Sequence, residues 1–395
     1  MSVWSSLVGQ EAAVAKLSDA AASARAIVAS RGGRASDEAR SMSHAWLITG
    51  PPGSGRSVAA RAFAAALQCT GEEPGCGACP GCRTTMARTN ADVVFVATDT
   101  SIINVETARS LVLQAQSSPS QGLWRVIVVE DADRLGESGA NALLKAIEEP
   151  PEHTVWLLCA PSPEDMIATI RSRCRHLGLR IPTAAAVADL LVREGVATPD
   201  VALEAARAAQ SHIGLARALA RDPQMRERRR AIITAPASVR SVGEAVMAAD
   251  RLLETAKTQA DAQVAERNAR EKAELLRQLG MEEGESATKA SRTMIRQLEE
   301  DQKRRSKRAL TDAIDRALID LLAIYRDVLM IQVGGDGDLI NTDLDDLVDQ
   351  IARDSTPRQT LARVDHIETA RRRLIANGNP LLVLEDMTIS LRPQA

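Results

Sequence analysis

Apolar runs of strand length recur through the first half of the chain, at Ala45–Thr49, Val93–Val96, Val126–Val129 and Val155–Cys159. Each is followed by Gly, Pro, Ser or Asp and then by a stretch with helical spacing. That alternation predicts a mostly parallel, doubly wound sheet. The runs are continuously apolar rather than alternating, as expected of strands buried on both faces. Ahead of them, residues 1 to about 30 predict one amphipathic helix entered through a turn at Val8-Gly9-Gln10, and the Gly/Arg/Ser-rich stretch Ser30–Ser36 predicts a loop.

Strand signals stop near residue 180, and Ile181-Pro182 marks the break. Residues 183–235 are rich in Ala, Leu and Arg at helical spacing, and residues 236–395 are helical again. Val242–Leu279 and Ser291–Gln332 read as two long helices, joined by a turn at Met281–Ser286 into a charged hairpin. Its outer part is too polar to be core, so a solvated arm is expected. Gly334–Asp338 reads as a loop, and a helix break falls at Asn377-Gly378-Asn379-Pro380. The expected architecture is α/β followed by all-α: an α/β domain over 1–180, a small helical domain over 181–235, and a helical domain over 236–395 that carries the hairpin at about 240–310.

Composition narrows the function classes. A net charge of −3 over 395 residues excludes a uniformly basic nucleic-acid coat. With four Trp, two Phe and one Tyr, a surface that stacks bases on many rings is not expected. The longest apolar runs fall far below the ~18 residues of a spanning helix, and Met1–Gln10 lacks the pattern of a secretory signal. The expectation is a cytoplasmic protein with no membrane partner and with reduced or metal-bound cysteines.

Three motifs carry chemistry. Gly50-Pro51-Pro52-Gly53-Ser54-Gly55-Arg56-Ser57 lies between a predicted strand and a predicted helix. Backbone N–H groups of such a loop curl around phosphate oxygens, the helix N-terminus adds positive charge, and Ser57 is placed to ligate Mg²⁺. Arg56 occupies the position where the motif has lysine, and a planar fork does not fill the place of a compact ammonium. The loop is thus either an ATP/Mg²⁺ cradle without efficient hydrolysis or a vestige. Glu130-Asp131-Ala132-Asp133 ends the strand at Val126–Val129. In a P-loop ATPase that strand end holds Mg²⁺ and supplies the general base. The order Glu130 then Asp131 leaves the shorter carboxylate at the base position, which favours an acidic end without catalysis.

The third motif is Cys69, Cys76, Cys79 and Cys82, with Gly and Pro between them. Four thiolates in a tight knuckle favour structural Zn²⁺ with no open position; loose thiols or an iron–sulfur cluster are the alternatives. Cys159 reads as core. The basic runs Arg226–Arg230 and Lys303–Arg308 read as solvated helix faces before they read as phosphate contacts.

With these residues in view, the chain resembles the delta-prime family of bacterial DNA polymerase III clamp-loader subunits, which are AAA+ proteins. The resemblance is clear over about residues 1–235 and weaker over 310–395. It rests on Leu7-Val8-Gly9-Gln10, on Ser43–Gly50, on the four-cysteine module, on Asn104–Arg109, on Glu130–Asp133, on Asn141–Pro151 with its run Ala-Leu-Leu-Lys-Ala-Ile-Glu-Glu-Pro-Pro, and on Ser172-Arg173-Cys174. It implies an AAA+ P-loop domain with a zinc knuckle, a helical lid and a helical collar in a five-subunit ring.

It also implies a stator that presents Arg173, within Ser172-Arg173-Cys174, as an arginine finger to ATP held by a neighbouring tau/gamma subunit. Arg217, in Ile213–Leu219, matches the lid arginine that senses nucleotide. The implied partners are tau/gamma and delta, the beta sliding clamp, and primer-template DNA through the complex. The competing reading is an ATP-hydrolysing, tau/gamma-like motor, against which Arg56 and the order Glu130-Asp131 stand. A third is a zinc-stabilised adaptor.

Overall fold

The computed structural model describes residues 2–30, 41–96, 102–279 and 289–392. The Ser30–Ser36 loop beyond Ser30 and the Met281–Ser286 turn lie outside them. The chain forms two compact units, Met1–Arg217 and Ala218–Ala395.

In the first unit a 3-10 turn over Val3–Ser6 leads into α1 (Glu11–Ala29). Five strands follow: β1 (Ala45–Thr49), β2 (Val93–Val96), β3 (Arg125–Val129), β4 (Thr154–Ala160) and β5 (Arg175–Gly178). They pair in parallel in the order β2-β3-β4-β1-β5. The unbroken apolar runs have a simple cause. Trp46, Ile48, Val126, Val128, Leu157 and Cys159 face a core shared with α1 and with α2 (Arg56–Leu67). The alternate residues Leu47, Ile127, Val129, Trp156 and Leu158 face a second core. That one is built with α4 (Val105–Ala115) and α5 (Glu137–Glu148). Burial of each such side chain contributes about 1.5–3 kcal/mol. Alanines let α2 approach the sheet closely, and its Phe63 meets Trp46 edge-on at 5.3 Å.

β5 is the strand that the apolar pattern does not reveal. Only Leu177 of Arg175–Gly178 is buried, since β5 lies at the sheet edge beside β1. Asp92, fully buried at the start of β2, closes the loop before β3 by accepting from the N–H groups of Ser120 (2.6 Å), Gln121 (2.7 Å) and Gly122 (2.6 Å). Burial pushes its carboxyl up, but those donors outweigh it and bring it to about 2. The unit continues with α3 (Pro80–Met86), α6 (Ala168–Arg171), α7 (Ala184–Arg193), α8 (Pro199–Ala208) and the start of α9 (Ile213–Arg221).

The second unit holds α10 (Pro223–Ser238), α11 (Val242–Gln278), α12 (Lys289–Val333), α13 (Asp345–Asp354), α14 (Pro357–Ile375) and α15 (Pro380–Leu391). The two long predicted helices are α11 and α12. Their inner halves pack through Leu252, Leu253, Val264, Ile314, Leu318 and Leu321. Their outer halves are held together by polar groups instead. Arg305 spans to Asn268 Oδ1 (2.7 Å) and Glu271 Oε2 (2.8 Å), and Gln302 donates to the Asn268 carbonyl (2.9 Å). Among the described residues no helix is long and apolar enough to cross a membrane.

Candidate nucleotide loop, arginine turn and metal centre

β1 delivers the loop 50–55 to the N-terminus of α2, so the backbone N–H groups of that first turn face the loop. Gly53 and Gly55 adopt φ of 88° and 89°, which side-chain-bearing residues rarely do. A Cβ on Gly53 would lie 2.9 Å from His212 Cα, so the turn before α9 packs directly on the loop. Gln10, buried, ties the loop to the end of β5: its amide donates to the carbonyls of Ser54 (3.4 Å) and Arg180 (2.5 Å) and accepts from the Arg180 N–H (3.2 Å). Pro51 and Pro52 are exposed, Ser54 is buried, and Ser57 is half-buried in the first turn of α2. The Arg56 guanidinium donates to the carbonyl of Gly50. The cation that should reach toward phosphate thus spans the mouth of its own loop.

The acidic strand end is engaged as well. Glu130 receives Arg88 Nη2 at 2.6 Å, and the same guanidinium lies 5.1 Å from the Phe95 ring centroid. Arg88 follows α3 with a φ of 61° and carries no signal in the sequence pattern, so sequence reasoning missed it. Burial and then Asp131 push the Asp133 carboxyl up, while Arg134 and Arg56 oppose them. Cys159, fully buried beneath this end, has its thiol pushed to about 12 by burial, with Glu130 adding to the rise. The structure therefore brings Arg56 into the electrostatic neighbourhood of Asp131 and Asp133. It places Arg217 otherwise. That guanidinium is bidentate on Glu194, at 2.9 Å for both contacts.

The Ser172-Arg173-Cys174 triplet forms the turn between α6 and β5. Ser172 donates to the Thr169 carbonyl (3.1 Å) and closes the last turn of α6. Cys174 packs inward against the second core, and burial pushes its thiol to about 12. Arg173 points outward, 39% exposed. It pairs with Glu148 at the end of α5 and donates to the Thr169 carbonyl (2.8 Å). Packing on one flank and hydrogen bonding on the other fix the backbone from which an exposed cation projects.

At the far end of α2, the sulfurs of Cys69, Cys76, Cys79 and Cys82 all lie within 4.8 Å of one another. Tetrahedral zinc with bonds of about 2.3 Å needs sulfur separations of about 3.8 Å, and the Cys69–Cys79 distance is 3.9 Å. The Cys79 N–H donates to Cys76 Sγ and the Cys82 N–H to Cys79 Sγ, both at 3.4 Å. Burial raises the Cys79 thiol, but the Cys82 and Thr70 N–H groups outweigh it and bring it to about 6; burial raises Cys82. Four convergent soft donors with N–H···S support fit a closed metal site.

Most of the two basic runs is solvated as expected, with Arg228, Arg230, Lys303, Arg304 and Lys307 exposed, and Arg229 and Arg305 depart from it. Arg229 is buried and bonds Asp320 (3.2 Å) and Asn341 (2.6 Å), so it is a core connector. Arg226 donates to the Leu219 carbonyl (2.6 Å) and Arg230 to the Asp343 carbonyl (3.1 Å). In the other run, Arg305 joins the hairpin arms, and Arg304 pairs with Asp301 at 3.0 Å.

Residues 34–183 match the family model described as DNA polymerase III, delta subunit. The chain is 34% identical over 182 residues to the delta-prime subunit of DNA polymerase III from Escherichia coli K12, a stretch covering 45% of this chain and 54% of that protein. It is 34% identical over 170 residues to the gamma/tau subunit from Mycobacterium tuberculosis H37Rv, covering 41% of this chain and 29% of that protein. It thus spans about half or less of the length of these curated relatives. A gamma-subunit-related protein of DNA polymerase III from Thermotoga maritima aligns over 89% of this chain and 94% of that one, at 16% identity and a TM-score of 0.40. Residues 34–183 thus match a DNA polymerase III delta-subunit family, and about two fifths of the chain is similar to delta-prime subunits of that polymerase.

Proposed function

We propose that this chain is the stator of a DNA polymerase III clamp loader, a delta-prime-type subunit that hydrolyses no ATP and lends Arg173 to a neighbour's ATP. The observation that carries the reading is Arg56. It replaces the loop lysine, and its guanidinium rests on the Gly50 carbonyl instead of projecting toward a β- or γ-phosphate. Glu130, at the Mg²⁺ position of the acidic end, is paired with Arg88, and the shorter Asp131 stands at the base position.

Arg173 supplies what the loop does not. Its pair with Glu148 is half-exposed on both sides, so exchanging that partner for a γ-phosphate across a subunit boundary costs little. A guanidinium so placed stabilises charge on the transferred phosphoryl group, worth about 10³–10⁵ in rate in well-studied enzymes. Zinc in the cysteine knuckle is structural. The partners are tau/gamma and delta in a five-subunit ring in the cytoplasm, with the sliding clamp and primer-template DNA reached through the assembly. The gamma/tau relatives favour one alternative, an ATP-hydrolysing motor.

ATPase assays separate the two. The chain alone should show no turnover, and Arg173→Ala in a reconstituted ring should lower DNA-stimulated turnover at least about a hundredfold without disrupting assembly. Turnover by the isolated chain that Ser57→Ala abolishes would establish the motor instead. Unchanged turnover of the Arg173→Ala ring would remove the finger.

A further inference from the structure

The second unit contains a cavity of about 320 Å³ that none of the sites above uses. Arg363 of α14 lines it and is only 8% exposed. Its guanidinium lies 5.8 Å from the centroid of the Tyr325 ring. Among the described residues it forms no ion pair and no side-chain hydrogen bond. Other arginines of this unit are matched: Arg229 by Asp320 and Asn341, and Arg371 by Asp315 at 2.7 Å. A guanidinium so nearly buried, with only an aromatic ring beside it, is left short of acceptors. An acceptor entering the cavity would remove that deficit.

The remaining walls define the acceptor. Tyr325 of α12, buried, also lines the cavity, and its hydroxyl has no hydrogen-bond partner among the described residues. Burial pushes its phenol up to about 12, so the group stays a neutral donor. Leu347, Ile351 and Leu391 supply apolar surface. Asp354 also lines the cavity, and Arg240 is already engaged, in part by the Val239 carbonyl at 3.3 Å. Among the described residues a polyanion would therefore find one free cation and a repelling carboxylate there.

We propose that this cavity binds a singly charged carboxylate carried on an apolar body, with its oxygens on the fork of Arg363 and its body against Leu347, Ile351 and Leu391. A free organic acid and a peptide ending in an apolar residue share that chemistry.

Tyr325 is the single tyrosine of the chain, so fluorotyrosine labelling gives one fluorine NMR resonance, located in this cavity. The labelled full-length protein is titrated with phenylbutyrate, with acetyl-Ala-Ala-Phe bearing a free C-terminus, with the amides of both, and with inorganic phosphate. A saturable shift with either acid and none with its amide is the expected result, and the tighter acid identifies the source. Arg363→Met, which keeps the stem and drops the charge, should weaken that binding at least about tenfold while the circular dichroism spectrum stays unchanged. Should that variant not fold, the acid–amide contrast in the unmodified chain decides alone. No saturable shift at millimolar acid, equal shifts with the amides, or phosphate binding as tightly as the acids would each overturn the proposal.

Discussion

The two ends of α2 carry the two most recognisable motifs of the chain, and they differ in what the fold has kept. At the C-terminal end the donor set is complete. Four sulfurs converge within 4.8 Å, backbone N–H groups support two of them, and no position is left for substrate. At the N-terminal end the loop geometry is complete but the lysine position holds Arg56. The glycines hold their left-handed turns, Gln10 clamps the loop and His212 packs on it, yet the only cation in the loop bonds the loop itself. The shape of a phosphate loop is thus held by packing and hydrogen bonds that do not need phosphate.

The largest expected effect tests the metal end. Chelating the proposed zinc, or replacing Cys82 with Ser, should destabilise the first unit by at least about 3 kcal/mol, since a knuckle of this kind has no core of its own. The melting temperature should fall by about 6–12 °C, together with loss of about one zinc per chain in metal analysis. A metal-free protein that melts at the original temperature would show that the four sulfurs converge for another reason.

A smaller effect tests whether the phosphate loop is held as structure. Gly53→Ala places a Cβ 2.9 Å from backbone at His212 and forces a side chain into a φ of 88°. The expected loss is about 2 kcal/mol in a thermal melt carried out without nucleotide. A neutral result would mean that the contact between the loop and His212 yields easily, and the contrast between the two ends of α2 would lose its structural half.

How much of this was legible in sequence depends on whether a residue's role leaves a pattern. The three strands buried on both faces, β1, β3 and β4, announce themselves as unbroken apolar runs, as does half-buried β2 at one edge, and the cysteines by spacing. β5 does not, because three of its four residues face solvent at the sheet edge. Arg229 read as part of a solvated charge run and Asp92 left no signal, and both are buried because each found several partners far away in sequence. The triplet at Ser172–Cys174 was visible as a motif, but the inward anchor of Cys174 and the pairing of Arg173 with Glu148 required the turn itself. Arg88 was invisible on both counts. It is a lone arginine in a loop that becomes informative only when β3 brings Glu130 to it.

The smallest expected change in stability is also the sharpest test of the chemistry. Arg56→Lys restores a compact ammonium at the loop and gives up one hydrogen bond to the Gly50 carbonyl. On a half-buried side chain that exchange should shift stability by no more than about 0.5 kcal/mol. Nucleotide affinity should rise by about tenfold, the value of one well-placed charge contact near 1.4 kcal/mol, as read by titration with a fluorescent ATP analogue. Turnover should not appear, because Glu130 remains paired with Arg88 and the shorter Asp131 stands at the base position. If the Arg56→Lys variant hydrolyses ATP, the acidic strand end was competent all along and the single side chain at residue 56 was what silenced the loop. If it neither binds nor hydrolyses, the packing of His212 on Gly53 leaves phosphate no room, and the loop is a structural element from end to end.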